Sequence, residues 1–355
     1  MRSYGSTEKR ALNERQQICF YCPYTGGGHP TGARARTEGL ITAYRHSGRR
    51  VFFLGPLKHP QCSFNIKICM EGSPFSRLIN GFKAWLIIKR LRCTLVIAEG
   101  PLFPFFFGQT KLVSMIHDAK FATQHRRNKG FITWFYWLIA ARVSAKIVTV
   151  SEPEKRRLVK VLQISANKII VSKNGIDDEW MLPLAENKPL EYDLLYVSNF
   201  APHKNHLGLL KSVVNLRLRI VFVGSDLGTF REVDEYVNKN NLNVSYFSHL
   251  STEDLISIYD RSLVFVFPSN LEGFGIPYLE ARARGLPVLA SDLEIFRDHR
   301  KKLGGTIVDF SNAENLSSHL AETKIKRERN GRQVPKNLDE YRWPVIAEKL
   351  LSDLE

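Results

Sequence analysis

Short β-branched apolar runs alternate with helix-patterned segments along nearly the whole chain, and this alternation restricts the fold more than any other feature. The runs Gln17–Tyr21, 51–54, 64–70, 94–98, 112–116, 146–150 and 168–171 read as strands, with helical stretches over 33–45, 78–90 and 131–143 between them. The pattern stops in an acidic, Pro-containing stretch and then restarts. Strands are expected at 193–197, 218–223, 244–247, 264–267, 288–290 and 306–308. Helices are expected at 205–215, 230–240, from Ser251 onward, 294–300 and 313–323, with a last amphipathic helix at 343–354. Runs covered on both faces, spaced by crossover helices, specify parallel sheets with right-handed connections. Two such series predict two similar α/β domains: 17–174 and 191–336. A flexible stretch 1–16 precedes them, a linker 175–190 joins them, residues 324–336 are loose, and a terminal segment 337–355 follows. Chains of this length support two cores.

One strand–loop–helix carries most of the chemistry. Val264 to Phe267 is a buried strand, Pro268 and Ser269 end it, and Gly273 and Gly275 keep the next turn open. Pro277 sits at the start of a helix that Gly285-Leu-Pro stops. A helix N-terminus aimed at the mouth of such a unit attracts anions. Glu272 and Glu280 flank it, and ionised carboxylates accept hydrogen bonds from sugar hydroxyls.

Charge divides the chain. Residues 1–175 carry 29 Lys and Arg against 8 Asp and Glu, whereas the remainder carries 22 against 27. The first half therefore faces something anionic. Its aromatic-rich pieces, Phe103 to Phe107 and Arg126 to Ile139, suit a bilayer interface or a buried crossover helix. No nucleic-acid motif accompanies them. The five cysteines, Cys19, Cys22, Cys62, Cys69 and Cys93, lack paired metal-ligand spacing and read as buried thiols in a reducing cytoplasm. No leader pattern is visible, and the longest apolar run, 131–141, is too short to span a bilayer.

Glu272-Gly-Phe-Gly-Ile-Pro-Tyr-Leu-Glu280, after Val-Phe-Pro-Ser and before Gly-Leu-Pro-Val, resembles the E-x7-E signature of retaining glycosyltransferases of family 4. Other pieces follow in that family's order: His117-Asp118 after a strand, Val150-Ser151 with Asn174-Gly-Ile-Asp177, Tyr196 through Lys204-Asn205, and Trp343 in a terminal helix. The resemblance implies a GT-B fold, two Rossmann-like domains facing across a cleft with the last helix crossing back to the first. It implies that Glu280 binds the ribose of a nucleotide and Glu272 the donor sugar. Phe274, Gly275 and Ile276 would offer backbone N–H groups, and Lys204 would balance the leaving diphosphate. His117 would touch the sugar or position the reacting groups, and His249 and Leu250 lie where relatives hold the base.

Gly27 and Gly28, in a loop without dinucleotide spacing, would approach donor phosphate or acceptor. Many relatives carry an arginine before the lysine. Here the corresponding places read Ser198, Asn199 and His203, so His203, Asn199 or an arginine from elsewhere must supply that contact, or turnover is slower.

The expected function is hexose transfer from a nucleotide-diphosphate sugar, GDP-mannose first and otherwise a UDP-sugar, to a glycan or lipid-linked acceptor of cell-surface polysaccharide or lipopolysaccharide. It would work without metal or cofactor at the cytoplasmic membrane surface. A GT-B binding subunit without turnover, and an epimerase or sugar-phosphate synthase with a soluble substrate, are the other readings.

Overall fold

A computed structural model describes residues 17–22, 32–56, 62, 64–67, 74–99, 102, 108–118, 129–183 and 189–355. The glycine loop with Gly27 and Gly28, the Phe103 to Phe107 piece, Arg126, Arg127, Cys69 and the stretch 1–16 lie outside the described residues. The chain forms two compact units, residues 1–175 with 343–355, and residues 176–342.

The first unit runs β1 (Gln17–Tyr21), α1 (Gly32–His46), β2 (Arg50–Gly55), β3 (Phe64–Lys67), α2 (Pro74–Arg90), β4 (Leu95–Ala98), β5 (Lys111–Met115), α3 (Lys129–Val143), β6 (Lys146–Thr149), α4 (Glu152–Leu162) and β7 (Ile169–Val171). Its seven strands are parallel in the order β3-β2-β1-β4-β5-β6-β7. Alternate side chains separate the faces. Ile18, Phe20, Val51, Phe53, Ile97 and Val113 pack with Leu40, Ile41 and Tyr44 of α1. Cys19, Tyr21, Val96 and Leu112 pack with Ala84 and Ile88 of α2. Ser151 caps α4 by accepting from Glu154 N at 3.3 Å. Cys19, Cys22 and Cys93 are buried and in no disulfide, whereas Cys62, expected to be buried, is half-buried.

The last helix, α11 (Trp343–Leu354), belongs to this unit, and Trp343, Ile346 and Leu350 join the α1 core. Gly39 makes that contact possible, because a Cβ there would lie 2.2 Å from the Trp343 indole. Trp343→Ala is expected to destabilise the unit by about 3–5 kcal/mol, and Gly39→Val to displace the indole. Urea denaturation measures both, and a change under about 1 kcal/mol at either site would disprove this packing.

The second unit runs β8 (Tyr192–Val197), α5 (His206–Val213), β9 (Arg219–Val223), α6 (Phe230–Lys239), β10 (Asn243–Phe247), α7 (Thr252–Asp260), β11 (Ser262–Phe267), α8 (Ile276–Ala283), β12 (Val288–Ala290), α9 (Glu294–Leu303), β13 (Thr306–Ile307) and α10 (Ala313–Asn330). Its six parallel strands take the order β10-β9-β8-β11-β12-β13. All six residues of β11 are buried, which fits its wholly apolar sequence after Ser262.

Several boundaries differ from the sequence reading. Residues 337–342, expected in the terminal segment, belong to the second unit. α10 continues to Asn330, so residues 324–330 are helical rather than loose. Residues 176–183, expected to be linker, fold into the second unit. Trp180 is buried there against Tyr259, with ring centroids 5.0 Å apart. The Arg284 guanidinium donates to the Trp180 and Leu182 carbonyls while pairing with buried Asp260. A chain segment that caps a buried guanidinium is folded structure.

Candidate active site

In the second unit the strand order reverses between β8 and β11, and open α/β sheets bind ligands beyond the carboxyl ends of strands at such a point. The loops leaving these two strands are tied together. Asn270 N donates to His203 O at 2.8 Å, and Asn205 Nδ2 donates to Pro268 O at 3.2 Å. The buried Tyr196 hydroxyl has one proton, which goes to the Lys204 carbonyl at 2.9 Å, so Ser269 donates to the Tyr196 oxygen, also at 2.9 Å. Burial pushes the Tyr196 pKa up, which keeps the hydroxyl a donor. These bonds fix the backbone of Lys204, the last residue of a 3-10 turn.

The fixed lysine meets the first acid of the signature. Lys204 Nζ lies 2.7 Å from Glu272 Oε1, with the two side chains 19% and 9% exposed. The pair is therefore largely desolvated. Each partner stabilises the charge of the other, and removing one strands the other in a poor solvent. Beneath it, His206 is buried among Tyr196, Phe200 and Phe222, with ring centroids 4.4–5.1 Å away. Burial, and then Lys204, lower its pKa to about 3, so the imidazole is neutral.

Gly275 caps α8 in the left-handed region, φ 85°, and as a glycine it brings no side-chain cap to this helix terminus. A Cβ at Gly275 would stand 3.1 Å from both the Phe267 and Phe296 rings, so positive φ and close packing both select glycine. The preceding Phe274 is buried, and its carbonyl accepts from His299 Nε2 at 2.8 Å. One turn into the helix, Glu280 is half-buried and accepts from the Tyr259 hydroxyl at 2.8 Å. Burial raises its pKa to about 7, against the opposing effect of the Tyr259 bond, with a further rise from Asp177.

The residues standing where an arginine was expected have other partners. Ser198 N donates to Val223 O, and Asn199 Oδ1 accepts from Ser225 N at 3.0 Å, so both knit the loop after β8 to that after β9. A Cβ on Gly224 would lie 2.1 Å from Ser198 O, which leaves this crossing no room. His203 holds Asn270 through its backbone. His249 (φ 54°) and half-buried Leu250 follow the edge strand β10. Two strand spacings separate β10 from β8, about 10 Å. A cavity of about 240 Å³, lined by Arg282, Pro287, Thr306 and Thr323, lies at the opposite ends of β12 and β13.

The first unit has its own reversal, between β1 and β4. His117 follows β5 there, its Nε2 3.5 Å from Oε1 of Glu99, whose side chain is 7% exposed. Thr37 of α1 donates to the same carboxylate oxygen. Sequence reasoning passed over Glu99, although an acid directly after a switch-point strand was a usable signal. Arg36, wholly buried, donates to Ser172 Oγ at 2.7 Å and Asn174 Oδ1 at 3.1 Å, so Asn174 is a structural acceptor.

Two family models match the chain: "Glycosyltransferase Family 4" over residues 32–180 and "Glycosyl transferases group 1" over residues 183–337. It is 25% identical over 202 residues to the O-antigen chain mannosyltransferase B of Escherichia coli, covering 51% of this chain and 52% of that protein. It is 25% identical over 282 residues, 73% of this chain and 70% of the other, to an Escherichia coli UDP-Gal:alpha-D-GlcNAc-diphosphoundecaprenol alpha-1,3-galactosyltransferase. The chain spans about half the length of the first curated relatives it matches. Among solved structures, sucrose-phosphate synthase from Thermosynechococcus elongatus superposes with a TM-score of 0.77 at 18% identity, over 95% of this chain and 98% of that one.

Proposed function

Because the chain belongs to the glycosyltransferases of family 4, with the GT-B fold, we propose that it transfers a hexose, with retention, from a nucleotide-diphosphate sugar to a glycan or lipid-linked acceptor of a cell-surface polysaccharide. The observation that carries this reading is the Lys204–Glu272 pair at the switch point of the second unit, beside the glycine-capped N-terminus of α8.

The donor's diphosphate lies over that terminus with Lys204 as its counter-ion, and the ribose hydroxyls bond to Glu280. Glu272 keeps one oxygen on Lys204 and offers the other to the sugar. Phe274, Gly275 and Ile276 contribute backbone N–H groups. The base extends toward His249 and Leu250, which the spacing of β8 and β10 permits. In the reaction the bond from the anomeric carbon to the diphosphate oxygen breaks, and the electron pair leaves with the diphosphate. The acceptor hydroxyl adds to the same face, and its proton passes to the departing diphosphate oxygen on that face. His117, beside Glu99, orients the reacting groups. Lys204 and the α8 terminus supply the positive field that a divalent ion gives elsewhere. No cofactor beyond the sugar nucleotide is called for, and the first unit takes the acceptor.

The mannosyltransferase relatives support mannose as the transferred sugar, in line with GDP-mannose as the first choice of donor, and the UDP-Gal-dependent galactosyltransferase relative supports a UDP-sugar as the next. A thermal-shift screen of GDP-, UDP- and ADP-sugars separates them. A donor at 100 times its Kd adds about 2.7 kcal/mol of stability, a rise of several degrees. Incubation of that donor with an acceptor should then release nucleoside diphosphate and give a product with the donor's anomeric configuration. Saturable donor binding with no release in the presence of a range of acceptors would refute the transferase reading in favour of a binding subunit.

A further inference from the structure

The outward side of α2 is built unlike the surface of an ordinary helix. Its inward stripe, Ala84 and Ile88, is buried on the first sheet. Ile79, Phe82 and Leu86 are nevertheless 40%, 48% and 47% exposed. Successive helical residues turn by about 100°, so with Phe82 at zero, Leu86 falls at about 40°, Ile79 at about 60°, Lys89 at about −20°, Arg90 at about 80° and Lys83 at about 100°. Ala84 and Ile88 then fall at about 200° and 240°. Three large apolar side chains and three cations therefore share one solvent-facing arc, and all three cations are exposed. A surface helix normally places polar residues there.

The charge is of one sign. Between Glu71 and Glu99 the sequence has no acidic residue. Lys89 Nζ stands 4.6 Å over the Trp85 ring, and Trp85 packs 5.5 Å from Phe82, so an aromatic pair and a cation sit at the margin of the apolar arc. On the same face of the sheet, α3 exposes Phe135, at 49%, and Arg142. Among the described residues no helix is long and apolar enough to cross a membrane.

The geometry points to the Ile79–Phe82–Leu86 face of α2 as a docking surface for an anionic lipid bilayer. The apolar side chains enter the acyl boundary, and Lys83, Lys89 and Arg90 meet the headgroup phosphates. A protein partner is less well matched, because exposed cations around a small apolar arc need a dense negative plane rather than a pocket. This assignment rests on the proposed function only for its biological setting, a lipid-linked acceptor. Binding itself requires no turnover.

Co-sedimentation of the full chain with vesicles tests it. Vesicles of phosphatidylglycerol and phosphatidylethanolamine should bind the protein at low salt, and phosphatidylcholine vesicles should not. Each basic residue near the surface contributes about fivefold in affinity, so Lys83→Gln with Lys89→Gln should weaken binding about 25-fold. Phe82→Ser with Leu86→Ser should weaken it at least about tenfold. Both pairs alter exposed side chains, and unchanged melting temperatures confirm folding. Val345→Ser on α11, also an exposed apolar position at 47%, should bind like the parent. Equal binding to neutral vesicles, unchanged binding by the Phe82/Leu86 variant, or a dimer that this variant dissociates would each overturn the proposal. Donor-induced thermal shift is read in parallel. Lost vesicle binding with intact donor binding refutes the docking face alone, and the converse refutes the transferase reading alone.

Discussion

Lys204→Met is expected to lower kcat by about 10²–10³, with a smaller loss of donor affinity. The leaving diphosphate gains charge as the glycosidic bond breaks, so a fixed cation is worth more in the transition state than in the bound ground state. The fixation is visible: the Tyr196 hydroxyl holds the Lys204 carbonyl, and Glu272 holds its ammonium at 2.7 Å. The same substitution leaves the Glu272 carboxylate, 9% exposed, without its partner and should cost about 3–5 kcal/mol of stability. A double variant separates the two effects. Lys204→Met with Glu272→Gln removes both charges, so stability should return to within about 1 kcal/mol of the parent while turnover stays low. Chemical denaturation and initial rates of diphosphate release read the two quantities. Near-parental kcat in Lys204→Met, or recovery of kcat in the double variant, would sink the assignment of Lys204 to the leaving group.

That pair also marks how far sequence reasoning reached. Each residue stands out from its own motif, and each motif implies a ligand for it. Their mutual contact was not foreseen, because it depends on β8 and β11 being neighbours across 68 positions of sequence. The strands themselves were legible, since a wholly apolar run such as 264–267 has few places to go except a covered parallel sheet. Helix ends were less so. Residues 324–330 are too charged to signal a helix by apolar periodicity, yet α10 continues through them. Nothing in the local sequence marks Asp260 and Arg284 as buried, yet they form a buried bidentate pair that ties down Trp180 and Leu182. Charge alone does not report burial. It takes the partner, and partners far apart in sequence are set by topology. Glu99 illustrates the same gap in the first unit: its carboxylate matters through Thr37 and His117, neither of which is near it in sequence.

Glu280→Gln should make the protein more stable at pH 8 and a poorer binder of its donor. Burial lifts the Glu280 pKa from 4.5 to about 7. Between those values the folded state holds more protons than the unfolded state, so stability falls as pH rises from about 4.5 to about 7 and is flat above. The shift corresponds to at most about 3 kcal/mol. Glutamine keeps the Tyr259 hydrogen bond, carries no charge to desolvate, and removes this slope. Donor binding runs the other way. Ribose hydroxyls donate best to the ionised carboxylate, so the parent's affinity should climb as pH rises to about 7 and then level off, and the bound ribose should pull the pKa down again. Loss of a hydrogen bond to a charged group costs about 1.5–3 kcal/mol, which predicts roughly 10- to 150-fold weaker donor binding by Glu280→Gln at pH 8. Calorimetric titrations from pH 5.5 to 8.5, paired with melting curves of both proteins, measure all of this. A variant less stable than the parent at pH 8 would refute the buried-charge account. Parental donor affinity with a retained pH slope would remove Glu280 from the ribose. The two outcomes are independent, because the first reads the cost of holding a carboxylate out of water and the second reads what that cost is spent on.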